Sequence, residues 1–321
     1  MADNKDLMKK ADWAVSDLES NGGKLNAEQS NTFIRKMIKA PTLLNQVRTV
    51  PMAAPERKIN KIGFASRILR AGTSNTALAE ADRSKPATEQ VTLTTKEVVA
   101  EVNLPYDVVE DVIESVSLGQ YDEGGAPKMS GQIKDTIMDL IAERAALDLE
   151  ELLLLGDTSV SGSDAYLGLF DGWLKLADQN VVDNSGAGVS NSMFAQGVKA
   201  LPQQYLRNRQ AMRQFISYDR EIDYREVLGG RETALGDAQF SGTAPVHGAG
   251  IRVEAASLMP SNNGILTYPQ NLITGIQRDM TIETDKDIRA RNYVIVLTMR
   301  VACAIEEAEA VAKYNNIGDL A

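Results

Sequence analysis

The sequence predicts an α+β protein built on unusually long elements, and three stretches carry that prediction. Residues 83–111, RSKPATEQVTLTTKEVVAEVNLPYDVVED, read as one very long strand running straight into a helix. Residues 132–155 carry an apolar stripe at helical spacing. Residues 271–305 return to long alternating strands on either side of the charged tip DKDIRAR.

Taken in chain order, the first stretch, up to about Arg57, mixes a short helical pattern (Leu7 to Leu18) with Gly22, Gly23 and NAEQSNTFIRKMIKA. Prolines at 41, 51 and 55 turn it into extended chain. It has too little apolar surface to fold alone, so it is either disordered or laid along another surface. KINKIGFASRILR follows, with Ile62, Phe64 and Ile68 in one parity and Lys58, Lys61, Arg67 and Arg70 scattered along it. This is the outgoing strand of a hairpin whose tip is AGTSNTALAEADRSKPATEQ. The tip and the return arm carry Glu80, Asp82, Glu89, Glu97 and Glu101, opposite in charge to the outgoing arm. From Val91 to Leu104 the return arm spans about 45 Å, whereas strands in compact domains average about five or six residues.

Val91, Leu93 and Thr95 share one face of that arm, and Val98, Ala100, Val102 and Leu104 take the opposite parity. Such a change of phase predicts a bulge or sharp twist between them. A two-stranded ribbon is marginally stable by itself and needs a surface to lie on; within one subunit the sequence offers no evident candidate.

At Asp107 the pattern becomes helical through Val108, Val109, Val112, Ile113 and Val116, with Asp107 and Glu110 at capping-box spacing. After the loop GQYDEGGAPKMSG, the residues Ile133, Ile137, Ile141, Ala145, Leu149 and Leu152 mark a helix of roughly 36 Å from about Gln132 to Leu155, stopped by Gly156. From about Trp173 to Gln270, glycine-rich loops separate short strands and helices such as FIS and GIRVEAA, the pattern of a second α+β subdomain. Long strands late in the chain that complete a domain begun before residue 173 make that domain discontinuous.

At 321 residues, 34 basic side chains against 44 acidic ones leave a formal charge of −10. That balance argues against a protein that coats nucleic acid through a basic surface, since such binding rests on phosphate neutralisation. Cys303, the sole cysteine, lies in an apolar run and reads as a buried small residue. No apolar run approaches the roughly 18 residues needed to span a bilayer, and MADNKDLMKK lacks the apolar core of a signal peptide, so no membrane insertion or export by that route is expected.

Chemistry is sparse. The one histidine, His247, sits in a small-residue turn, with no nucleophile elbow elsewhere. Asp135, Asp139 and Glu143 recur at i, i+4 spacing and read as a solvated helix face. Arg207, Arg209 and Arg213 in YLRNRQAMRQ read as an exposed helix with ion pairs rather than a phosphate-binding element. GGKL at 22–25 lacks the Lys-Ser/Thr of a phosphate loop. The expectation is no enzyme, no cofactor, no metal and no catalytic residue.

The ordered series of arm, charged hairpin, long helix, glycine-rich region and closing strands resembles the HK97-like major capsid proteins of tailed bacteriophages. KIGFASRIL through EVVAEVNLPYDVVED is similar to that family's extended loop and first helix. IKDTIMDLIAERAALDLEELLLLGDTS with LGLFDGWL is similar to its spine helix and the entry into its axial domain. PVHGAGIRVEAASLMP with ILTYPQNLITGIQRDMTIE is similar to its strand pair, although Ile251 and Arg252 stand where Pro-Val is frequent.

The resemblance implies an N-terminal arm (1–57), an extended hairpin loop (58–97), the first part of a peripheral domain (98–172), an axial domain (173–272), closing peripheral strands (273–302) and a return to the axial domain (303–321). It further implies a subunit that self-assembles into hexamers and pentamers of an icosahedral or prolate head around double-stranded DNA, held without sequence specificity. Intersubunit contacts then fall on the ribbon at Ile62, Phe64, Arg67, Ile68, Arg70, Glu80, Asp82, Arg83 and Glu89, and on the second tip at Asp285, Lys286, Asp287, Arg289 and Arg291. Portal, scaffolding and decoration proteins are the implied partners, and assembly in the bacterial host cytoplasm the implied setting. No motif fixes the Lys–Asn pair that cross-links one branch of the family. Two alternatives are weighed beside this reading: an encapsulin-like bacterial compartment shell, and an acidic soluble enzyme with a carboxylate site on the 132–155 helix.

Overall fold

Parity alternation and one helical stripe account for the elements that frame the molecule. The computed structural model describes residues 43–63, 68, 69, 71, 83, 86–106, 131–230 and 245–320. In chain order these form β1 (Arg48–Pro51), β2 (Glu56–Gly63), β3 (Ala87–Thr94), β4 (Lys96–Pro105), α1 (Gly131–Leu155), α2 (Trp173–Leu176), β5 (Asn180–Asp183) and α3 (Asn191–Ala200). They continue with β6 (Arg213–Ile216), α4 (Tyr218–Gly229), β7 (His247–Gly248), β8 (Ile251–Ala255), β9 (Gly264–Thr267), β10 (Leu272–Asp287), β11 (Asn292–Ile305) and β12 (Ala312–Asn315). The helix expected from Asp107 lies outside the described residues.

The single long strand expected over 91–104 is two strands. Thr95 separates them: its backbone N–H donates to the Pro55 carbonyl at 2.8 Å, and its hydroxyl donates to the Gln277 side chain at 2.8 Å. These bonds turn the chain out of one ladder and into another. β3 pairs with β2 in a two-stranded ribbon, while β4 lies beside β11 in a different sheet. The change of phase predicted near this point is therefore a change of sheet.

The contacts divide the chain into two units, each discontinuous in sequence. The first contains residues 43–45, Glu97–Leu152 and Arg278–Arg300. In it β4 neighbours β11, which neighbours β10, and α1 covers their apolar side: Ile137 packs with Leu104, Tyr106, Tyr293 and Ile295, with Met138 and Ile141 alongside. The alternation of β11, buried at every second residue from Tyr293 to Val301, places one parity in this core. α1 has 25 residues, about twice the ordinary length of a helix.

The second unit contains Gln46–Lys96, Leu153–Gln277 and Val301–Ala321. Its six-stranded sheet has the order β5-β12-β9-β6-β8-β7. β12, from the chain's last ten residues, runs parallel to β5 and antiparallel to β9, so three distant segments meet there. Helices α3 and α4 close over this sheet. Each has a serine N-cap: Ser190 accepts from the Met193 amide and Ser217 from the Arg220 amide, both at 3.3 Å. Phe194 sits at the centre, edge-on to Tyr224 at 4.9 Å and to Tyr314 at 5.9 Å between ring centroids. Gly197 makes this approach feasible, because a Cβ there would lie 2.1 Å from the Tyr314 hydroxyl.

Candidate assembly surfaces

The ribbon has two faces of different character. β2 and β3 pair antiparallel from Glu56 opposite Thr94 to Gly63 opposite Ala87. Directly opposed residues share a face, so Ile59–Val91, Arg57–Leu93 and Lys61–Glu89 lie together, and Asn60–Gln90 and Ile62–Thr88 lie on the reverse. On the first face Leu93 is fully buried among Val50, Met52, Ile273, Ala302 and Ala304, with Ile59 and Val91 half-buried against them. The sequence offered no surface within the subunit for this ribbon; its base has one after all, built by β1, β10 and β11 of the same unit.

Further out on that face Lys61 Nζ lies 3.3 Å from Glu89 and 3.1 Å from Glu307. Partial burial alone would lower the Lys61 pKa, but the hydrogen bond and charge of Glu307, then those of Glu89, outweigh it and hold the pKa above its ordinary value. The base of the ribbon is thus fixed by an apolar plug and then by an ion pair.

The reverse face is open. Ile62 is 74% exposed. Beyond it Ile68 and Leu69 are also exposed, Leu69 having gone unnoticed in the sequence because it breaks the Ile62–Phe64–Ile68 parity. Arg83 is exposed. Phe64, Arg67, Arg70, Glu80 and Asp82 lie outside the described residues. Glu97, grouped by sequence with the ribbon's acids, instead faces arginines of the first unit, Arg278 at 2.6 Å and Arg300 at 3.7 Å.

At the second tip Asp285, Lys286, Asp287, Arg289 and Arg291 are all exposed. Asp287 Oδ1 accepts from the amides of Arg289 at 2.9 Å and Ala290 at 3.2 Å, which folds the turn. Lys286 Nζ stands 5.8 Å from the centre of the Tyr293 ring. Arg291 adopts a positive φ of 54°, and its carbonyl accepts from Tyr106 N at 3.1 Å. Three of the residues singled out for contacts between subunits, Lys286, Asp287 and Arg291, therefore already act within their own hairpin. Ile288, which charge reasoning passed over, is 83% exposed at the apex.

The segment joining α1 to α2 is held by a dense set of hydrogen bonds. Gly172 N donates to Gly156 O at 2.8 Å, and a Cβ on Gly172 would lie 2.7 Å from Gly156 N and Leu153 O. Asp171 accepts from the Thr158 amide and hydroxyl. Asp157 accepts from the Ser159 hydroxyl and amide and pairs with Lys175 at 3.0 Å. The Ser159 bonds first, and Lys175 after them, hold the Asp157 carboxyl at about 2. Trp173, fully buried, donates from its indole N–H to Ala304 O at 3.2 Å. The residues GDTS and LGLFDGW, quoted for the family resemblance, are those that build this junction.

With this geometry in place, the chain can be set beside known proteins. It is 41% identical, over 322 aligned positions covering 97% of both chains, to a Bacillus subtilis (strain 168) protein described as "Putative prophage capsid protein YqbE". The chain belongs to this family of prophage capsid proteins. Among solved structures, the procapsid protein of satellite phage P4 superposes with a TM-score of 0.62 at 13% identity, covering 99% of this chain and 97% of that one. A subunit from the capsid of a native GTA particle gives 0.62 at 16% identity over 95% and 100%. Mycobacterium phage Adephagia gives 0.58 at 14% identity over 97% and 99%. The α+β fold of this capsid protein is thus the HK97-like phage capsid fold. No family model matches the chain.

The residues weighed for catalysis are placed accordingly in this capsid protein. His247 is exposed in β7, and its carbonyl accepts from the Tyr224 hydroxyl. Cys303 Sγ lies 3.6 Å from the Leu153 carbonyl, and burial, with a smaller effect from Asp171, pushes the thiol well above its ordinary range. Arg207 and Arg209 are exposed in a 3-10 stretch rather than an α-helix, and Arg213 pairs with Glu254 at 3.2 Å. Asp139 is exposed on α1; the side chain of Asp135 lies outside the described residues. Among the described residues no group of three or more His, Cys, Asp or Glu is placed to hold a metal ion. No described helix is long and apolar enough to cross a membrane.

Proposed function

We propose that this capsid protein is the shell-building subunit of a phage head, assembling as hexamers and pentamers into a closed icosahedral or prolate wall around double-stranded DNA. One observation carries the reading: a ribbon whose inner face is plugged into its own subunit by Leu93, Ile59 and Val91 while its outer face presents Ile62 to solvent. A monomer gains nothing from that arrangement. Covering an isoleucine of this exposure contributes on the order of 1.5–3 kcal/mol, and in a closed shell the same contact recurs at every equivalent interface. The ribbon of 58–97 acts as the extended loop laid on a neighbouring copy. Residues 173–272 with 303–321 form the axial domain around the capsomer centre, and the tip at 285–291 meets other copies.

Scaffolding, portal and decoration proteins are the partners consistent with such a head, built in the cytoplasm of the bacterial host. The prophage description of the Bacillus subtilis relative favours a DNA-filled head over a cargo-filled compartment. Replacing Ile62, Phe64 and Ile68 together by Ser tests the reading. Folded subunits or capsomers without shells are expected; intact shells from this variant would overturn it.

A further inference from the structure

Among the described residues the buried charged side chains are Glu150 and Arg220. Arg220 joins the C-terminal residues to α4 and belongs to the packing of its own unit. Glu150 sits in the last turns of α1, fully enclosed, between the apolar Leu149 and Leu152. Burying a carboxylate costs several kcal/mol unless hydrogen bonds replace its water. Part of the compensation comes from two amides 107 and 106 residues away. Leu43 N donates to Glu150 Oε2 at 3.2 Å and Leu44 N donates to the same oxygen at 3.4 Å. The Leu43 side chain is itself 1% exposed, so the turn is held by its backbone and by its side chain.

We infer that Glu150 is a positioning residue for assembly: it fixes the Leu43–Leu44 turn of the N-terminal arm (1–57) against the last turns of α1. Two amides aimed at one carboxylate oxygen set the orientation of the peptide planes at 43 and 44. An apolar contact alone would let the turn rotate about the Leu43 side chain. A carboxylate acceptor makes such bonds roughly twice as strong as a neutral one. The proposal rests on the shell reading for its consequence, because the arm is an assembly element only if copies assemble; the anchoring itself does not.

The test uses the full chain with Glu150→Leu and Glu150→Gln, and Glu151→Gln as a neighbouring control. Hydrogen exchange is read at the Leu43 and Leu44 amides, and particles are counted by electron microscopy. Glu150→Leu is expected to speed exchange at both amides by about ten- to a hundredfold and to yield few or misshapen shells, while the six-stranded sheet keeps its protection. Glu150→Gln is expected to speed exchange several-fold, and the control to leave it unchanged. Wild-type exchange at Leu43 and Leu44 in both Glu150 variants overturns the anchor. Fast exchange with normal shells overturns its role in assembly. If Glu150→Leu fails to fold, Glu150→Gln decides at the same two amides. Absence of shells from the unaltered chain counts against the shell reading and leaves the exchange comparison to decide the anchor.

Discussion

Leu93 and Ile62 lie on the same ribbon, on opposite faces, and replacing them should separate folding from assembly. Leu93→Ala removes a fully buried side chain from a cluster whose walls are the strand residues Ile273, Ala302 and Ala304 and the neighbouring Met52. Strands locked in a ladder collapse poorly into a void, so the cost belongs in the middle of the range for buried leucines, about 3 kcal/mol. Ile62→Ser removes a side chain that is 74% exposed and whose cross-strand neighbour is Thr88, so the isolated subunit should change by less than about 0.5 kcal/mol. Urea unfolding of unassembled subunits measures both, and sizing chromatography measures what each does to particles. The expected pattern is a destabilised subunit for Leu93→Ala and a stable but assembly-poor one for Ile62→Ser. A loss above about 1 kcal/mol for Ile62→Ser, or below that for Leu93→Ala, would refute the two-faced assignment.

The junction after α1 has a pH signature. The Asp157 carboxyl is depressed to about 2 from 3.8, so its contribution is present above the ordinary carboxylate range and is lost as pH falls through about 2. A carbon-detected titration should place its midpoint there, and a midpoint near 4 would contradict the Ser159 and Lys175 contacts. Arg220 donates to Ser261 O at 2.9 Å, to Asp223 at 2.8 Å and to Asp319 at 2.6 Å. Because Asp319 is almost fully exposed, its share is discounted for solvent screening, and Arg220→Ala should cost on the order of 2 kcal/mol, mostly through the part-buried bonds to Ser261 O and Asp223. Exchange at the Ile317 and Gly318 amides, which donate to Asn262 O and Ala187 O, should rise; unchanged protection there would show that the tail holds itself.

How much of this was legible in the sequence depends on the range of the interaction. The α1 stripe and the alternation in β11 are local periodicities, and Ile137, Leu149 and Leu152 are buried where the spacing puts them. The parity change after Thr95 marks a real event in the chain, but parity cannot say that the strand leaves one sheet for another, because that depends on Pro55 and Gln277, 40 and 182 residues away. Ile59 escaped notice because it is out of phase with Ile62, Phe64 and Ile68: the sequence pattern picked out the inner face on the return strand through Val91 and Leu93, but on the outgoing strand it picked out only the outer face. Glu150 was not singled out in the sequence, since what makes it special is a pair of amides 107 and 106 residues away. The tip residues were legible as charged, yet the use of Asp287 to fold its own turn follows from backbone geometry that charge counting does not contain.

The central claim is that copies of this chain build a shell, and negative-stain electron microscopy after sizing chromatography of the protein expressed alone, and again with candidate scaffolding partners, tests it most directly. Uniform polyhedral shells, or rings of six and five subunits, are the predicted result. A stable monomer under both conditions, with no ring or shell at any concentration reached, would contradict it.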